Sequence, residues 1–154
     1  MDTRKVAGCD ICAVLAADEQ VVVFETASWR VSLAPDQYYL GRAYVTSLRH
    51  VPELSGLSTA EFKELWEVIR RYEKAAKQNL DATHVTWMAL MNNAYRVSRP
   101  LPHVHWHVRP RYAHPVRIGD KVFDDPEFGN HHQRDMEDVV SIELLREICA
   151  QLQR

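Results

Sequence analysis

The stretch PLPHVHWHV, residues 100–108, places His103, His105 and His107 at every second position with Val104, Trp106 and Val108 between and beyond them. In an extended strand alternate side chains point to opposite faces, so three imidazoles would line one face and three apolar side chains the other. The apolar face belongs to a core. The imidazole face needs polar company, because buried ring nitrogens without partners cost free energy. A cleft, a metal or a bound anion would supply it. A neutral imidazole, with an ordinary pKa of about 6.5, is also a competent nucleophile near neutral pH. A second group able to do chemistry is the pair Cys9 and Cys12. Thiolates at that spacing can supply half of a tetrahedral zinc site or act as a redox pair.

These residues need a scaffold, and the chain is long enough to build one. Its 154 residues, 46% hydrophobic, predict a single domain spanning 1–154 with a real core. A formal net charge of -2 gives no electrostatic case for wrapping nucleic acid. No apolar run approaches the roughly 20 residues of a membrane span, and MDTRKVAGCDICAVLAADEQ lacks a signal-peptide core. A cytoplasmic address without membrane or nucleic-acid partners is therefore expected, and three cysteines there argue against a disulfide framework.

VVVFETASWRVSLA reads as a hairpin turning at Thr26-Ala27, and RAYVTS as a third strand. In the segment 55–79, Ser58 with Glu61 three residues on forms a capping box that opens a helix. Phe62, Leu65, Trp66, Ile69, Tyr72 and Ala76 then share one face, expected to be core. ATHVTWMAL and HVHWHVR are the fourth and fifth strands, with a loop through Asn92 between them. Trp29, Trp66, Trp87 and Trp106 read first as core residues. Residues 109–135, rich in Pro, Gly, Asp and His, form a long loop segment before a C-terminal helix. That helix repeats Ile142, Leu145, Ile148, Cys149 and Leu152, which makes Cys149 a small buried hydrophobe. The fold class predicted is α+β, an antiparallel sheet of about five strands with one long helix packed on it and a C-terminal helix.

HVHWHV resembles the signature of the histidine triad (HIT) superfamily of nucleotidyl hydrolases and transferases, and specifically its dinucleoside polyphosphate hydrolase-like branch. CDIC near the start, GRAYVTSLRHV, the amphipathic helix and Asn92 extend the resemblance over nearly the whole chain. It implies that His105 attacks the α-phosphorus of a dinucleoside polyphosphate or nucleoside phosphate conjugate, giving a nucleotidyl-imidazole that water cleaves. His107 would donate to the phosphoryl oxygens, the carbonyl of His103 would orient His105, and Asn92 would contact the phosphate. On local sequence alone Asn92, beside Asn93, reads equally well as an Asx-turn residue. The resemblance further implies a structural zinc on Cys9, Cys12, His50 and His103, a homodimer, and a small-molecule nucleotide as partner. A divalent cation can accompany the substrate phosphates.

The chain departs from the family where relatives have Gly-Gln before the triad. Here stand Ser98-Arg99, and Arg99 can meet a phosphate as a cation. Arg42 replaces the usual histidine after Gly41, and Ala34 the usual ribose-binding acid, with Asp36 two residues away. Arg99, Arg42 and Asp36 are thus the candidate substrate contacts. A phosphorylase is a close variant of the hydrolase reading. The contrasting reading is a zinc-stabilised nucleotide-binding or interaction module with little turnover. His84 reads as a structural histidine, His114 has a weaker claim on the site, and His131 with His132 in GNHHQ could close the cleft.

Overall fold

A computed structural model describes residues 5–17, 19–131 and 135–154. His132 therefore lies outside the described residues. The chain forms helix α1 (Asp10–Ala17), strands β1 (Val22–Glu25), β2 (Trp29–Leu33) and β3 (Ala43–Ser47), and helix α2 (Thr59–Asn79). Strands β4 (His84–Ala89), β5 (His105–Arg111), β6 (Val116–Ile118) and β7 (Lys121–Phe123) follow, and helix α3 (Ile142–Leu152) ends the order. The first five strands make one antiparallel sheet in the order β1-β2-β3-β5-β4. This is the α+β architecture the sequence predicts.

β5 is held on both sides, by β3 through pairs such as Tyr44 with His107 and by β4 through Met88 with His107. Its period-two pattern divides as expected. Val104 and Val108 sink into the core with Val31, Val45, Leu65, Val68 and Tyr72, while the histidines face away from it. Burying each of these apolar side chains contributes roughly 1.5–3 kcal/mol.

α2 begins at the capping box, with Ser58 accepting from the Glu61 amide and Glu61 accepting from the Ser58 amide. The face it buries is rotated from the one its apolar stripe predicts. Leu65, Val68, Tyr72 and Ala76 are buried together with Glu61, whereas Phe62 and Trp66 are each 58% exposed. Glu61 is drawn inward because its carboxylate receives Arg49 and its carbonyl accepts from the Trp29 indole at 2.9 Å. Trp29 is fully buried, so only Trp66 among the tryptophans leaves the core altogether.

Gly41, with φ at +81°, lets the chain turn into β3 where a Cβ would press on Leu80 and Pro110 at 3.0 and 3.1 Å. Its carbonyl accepts from the Tyr72 hydroxyl, so the turn is anchored on α2. Residues 109–135, read from sequence as a loop, contain the end of β5 and the two-stranded hairpin of β6 and β7. Arg111 ties this segment back to the sheet through a buried pair with Asp125 at 2.6 and 2.9 Å. Cys149 is buried on α3 against β1, where its Sγ donates to the Val22 carbonyl. No helix among the described residues is long and apolar enough to cross a membrane.

Candidate active site and metal centre

The β5 backbone delivers His105 and His107 to one face, and hydrogen bonds settle which ring nitrogen carries each proton. His105 Nδ1 lies 2.9 Å from the His103 carbonyl, which can only accept, so Nδ1 holds the proton and Nε2 carries the lone pair. That Nε2 lies 3.2 Å from His107 Nε2, which must then be the donor. The result is a directed chain in which His107 Nε2–H points at His105 and the basic nitrogen of His105 stands beside the cavity. Burial pushes the His105 pKa down from its ordinary value, which favours the neutral ring.

His103 is turned the other way. Its Nε2–H donates to the Ser47 carbonyl at 2.7 Å, leaving Nδ1 as an acceptor. That atom lies 3.6 Å from Cys9 Sγ and 3.5 Å from Cys12 Sγ, while His50 Nδ1 lies 3.5 Å from Cys12 Sγ. The donor atoms of Cys9, Cys12, His50 and His103 all fall within 4.8 Å of one another. Zinc at about 2.3 Å from sulfur and about 2.0–2.1 Å from nitrogen, in tetrahedral geometry, separates S and N ligands by about 3.6 Å. The four residues fit that ion. Backbone amides of Val6 and Cys12 point at the sulfurs of Cys12 and Cys9, a setting suited to thiolates. The Ser47 carbonyl fixes the His103 tautomer in the way outer partners orient metal-bound imidazoles. Burial, and after it the neighbouring Cys12 side chain, pushes the Cys9 thiol up from its ordinary pKa, a tendency that a bound cation reverses.

The histidines line a cavity of about 410 Å³, a size suited to a nucleotide-like ligand. Ile11, Val14 and Leu15 of α1 form an apolar wall, and Tyr44 and Thr46 of β3 flank the histidines. α1 had no counterpart in the sequence reading, since eight residues are too short to announce a helix on their own. The Cys9–Cys12 spacing was its only advance signal.

The predicted substrate contacts divide. Arg99 lines this cavity. Asn92 is exposed at the start of a 3-10 turn, Asn92–Arg96, and it is Asn93 that lines the cavity. Arg42 and Asp36 pair with each other beside the sheet, and neither lines this cavity. Asp36 Oδ1 also accepts the amides of Tyr38 and Asp138. His84 packs edge-on to Phe128, and His114 pairs with Asp81 at the exposed surface. His131 lies away from this cavity.

Comparison with known proteins places these features in context. The family model of the HIT domain matches residues 15–114. Among curated proteins none matches. Among solved structures, the chain is similar to a HIT-like protein of Bartonella henselae involved in cell-cycle regulation, with a TM-score of 0.68 and 15% identity over 97% of each chain. It is also similar to a hypothetical histidine triad nucleotide-binding protein of Sulfolobus tokodaii, with a TM-score of 0.66 and 16% identity over 94% of this chain and 89% of that one. A zinc-bound histidine triad family protein of Mycobacterium smegmatis gives a TM-score of 0.58 and 23% identity over 94% of this chain and 93% of that one.

Proposed function

The chain belongs to the HIT-domain family, whose members are generally nucleotide hydrolases or transferases, and from that premise we propose that it transfers the nucleotidyl group of a dinucleoside polyphosphate or nucleoside phosphate conjugate through His105. The observation that carries the reading is the assigned proton chain. His105 Nδ1–H is engaged by the His103 carbonyl, so the lone pair sits on Nε2, where it accepts from His107 at the cavity lining until His107 turns to substrate.

In the first step that lone pair forms a P–N bond to the α-phosphorus while the P–O bond to the leaving group breaks, its electron pair departing on oxygen. The positive charge left on the ring is stabilised by the His103 carbonyl, and His107 Nε2–H swings to a phosphoryl oxygen as negative charge gathers there. In the second step a water oxygen bonds to phosphorus, the P–N pair returns to Nε2, and the water proton leaves to solvent. Inorganic phosphate in place of water would make the same site a phosphorylase. Arg99 and Asn93 are positioned to meet substrate from the cavity wall, and a divalent cation accompanying the substrate phosphates is compatible with this scheme.

Zinc on Cys9, Cys12, His50 and His103 belongs to the same proposal, as a structural ion. It would pin α1 to the start of β5 and so hold both the apolar wall and the His103 carbonyl that orients His105. The chain is further proposed to act as a homodimer. Light scattering at micromolar concentration is expected to give twice the chain mass, and a monomer there would remove that part.

The activity is tested by incubating the protein with a panel of dinucleoside polyphosphates and nucleoside phosphate conjugates, with and without phosphate. At least one is expected to be cleaved at the α-phosphorus. His105→Ala is expected to abolish turnover while keeping the fold and nucleotide binding. Comparable turnover by the variant would sink the assignment, and binding without turnover by the parent protein would favour a binding module.

A further inference from the structure

The histidine face of β5 does not end at His107. Two positions on, about 7 Å along the strand, Arg109 continues the same face and is only 6% exposed. It lines a second cavity of about 180 Å³, together with Thr86 and Met88 of β4, Arg111 and Asn130. Arg111 is fully committed to Asp125 and to the carbonyls of Glu127 and Asn130. Arg109 is not. Its Nη1 is buried with no hydrogen-bond partner among the described residues, and burial first, then the charge of Arg42, disfavours its charged form, while Tyr39, Tyr44 and Asp36 act the other way.

Arg42 stands one step beyond the last β3–β5 pair, Ala43 with Val108, and its Nε is buried with no hydrogen-bond partner among the described residues. The carboxylate of Asp36, which acts on Arg109 only electrostatically, is already filled by Arg42 and two backbone amides. A buried guanidinium with an unmade hydrogen bond and no carboxylate of its own is costly unless an anion completes it.

We infer that Arg109, assisted by Arg42, forms an oxyanion subsite beside the histidines, taking a phosphate or carboxylate group. The subsite rests on the proposed function only for the source of its anion. That anion is either the part of the substrate beyond the reacting phosphorus or free inorganic phosphate. Arginine suits either, since its planar fork offers paired donors to two oxygens of one group.

The test begins with binding, which needs no turnover. Inorganic phosphate is titrated into the zinc-loaded protein, its His105→Ala variant and its Arg109→Met variant, followed by amide shifts in NMR. Shifts at Thr86, Arg111 and Asn130 are expected in the parent and in His105→Ala, with the dissociation constant raised at least about tenfold in Arg109→Met. Arg109→Met should fold, because it replaces an unbalanced buried charge by an apolar chain of similar length. Arg109→Lys, which keeps the charge and loses the fork, is expected to bind with intermediate strength. An absence of shifts at those amides, or equal affinity in Arg109→Met, would overturn the subsite whether or not the chain proves to be a hydrolase. Turnover then separates the sources. If the substrate supplies the anion, Arg109→Met raises KM about tenfold or more for conjugates with an anionic leaving group and leaves those with a neutral one unchanged. If free phosphate supplies it, the variant loses phosphate-dependent turnover and keeps hydrolysis.

Discussion

Replacing Glu61 by Gln removes one charge while keeping an oxygen that can accept the Ser58 amide, so the capping box of α2 survives and only the pairing with Arg49 is lost. Arg49 holds that carboxylate at 2.9 and 2.8 Å and, with the two Ser58 bonds, draws its pKa from an ordinary 4.5 down to about 2. The drop of about 2.5 corresponds to a ceiling of about 3 kcal/mol. The Arg49 side chain is 43% exposed, so solvent screens the pair and about 1–2 kcal/mol is the expected contribution. Because the folded pKa lies below the unfolded one, the stabilisation is complete above about pH 4.5 and declines as the pH falls, disappearing near pH 2. Urea unfolding of the parent and Glu61→Gln between pH 2 and 7 measures it. The two curves should differ by about 1–2 kcal/mol at pH 7 and converge at the acid end. A deficit that stays constant with pH would refute the charge argument and assign the loss to the helix cap. The pair matters for the site, since Arg49 adjoins His50, one of the four candidate metal donors, and is tied to the Gly56 carbonyl and to α2.

The purified protein is expected to carry close to one zinc per chain by elemental analysis, and Cys9→Ser to lose the metal. Because a preformed site exists only in the folded chain, the melting temperature should fall by about 10 °C at saturating zinc. Added magnesium, which prefers oxygen ligands, should not restore it. An unchanged melting temperature in metal-free Cys9→Ser would demote the cluster. Asp125→Ala is expected to cost about 3–5 kcal/mol in urea unfolding, because it strands the Arg111 guanidinium, whose side chain is 5% exposed. A loss below about 1 kcal/mol would mean that the segment beyond β5 relaxes to let water reach Arg111.

The alternation in HVHWHV determined the two faces of β5, because side chains on a strand have no third direction to take. Ser58 and Glu61 determined where α2 begins, because a cap acts over three residues of backbone. Such local rules made the sheet, the long helix, the histidine face and the Cys9–Cys12 half-site legible. The outcome at Phe62 and Trp66 was of another kind. A six-member apolar stripe is wider than the arc a helix lays on a sheet, and the bonds from Arg49 and Trp29 to Glu61 chose which edge stayed out. α1 was illegible because its eight residues rely on packing and on the cysteine cluster for stability that propensity does not supply. Asn93 lines the cavity in preference to Asn92 because of how a 3-10 turn rotates the two side chains, which neighbouring identical residues cannot signal. The opposition of Arg42 and Arg109, 67 residues apart in sequence, exists only because β3 and β5 are neighbours in the sheet. Strand pairing decided it, and pairing is a long-range choice made by the whole core.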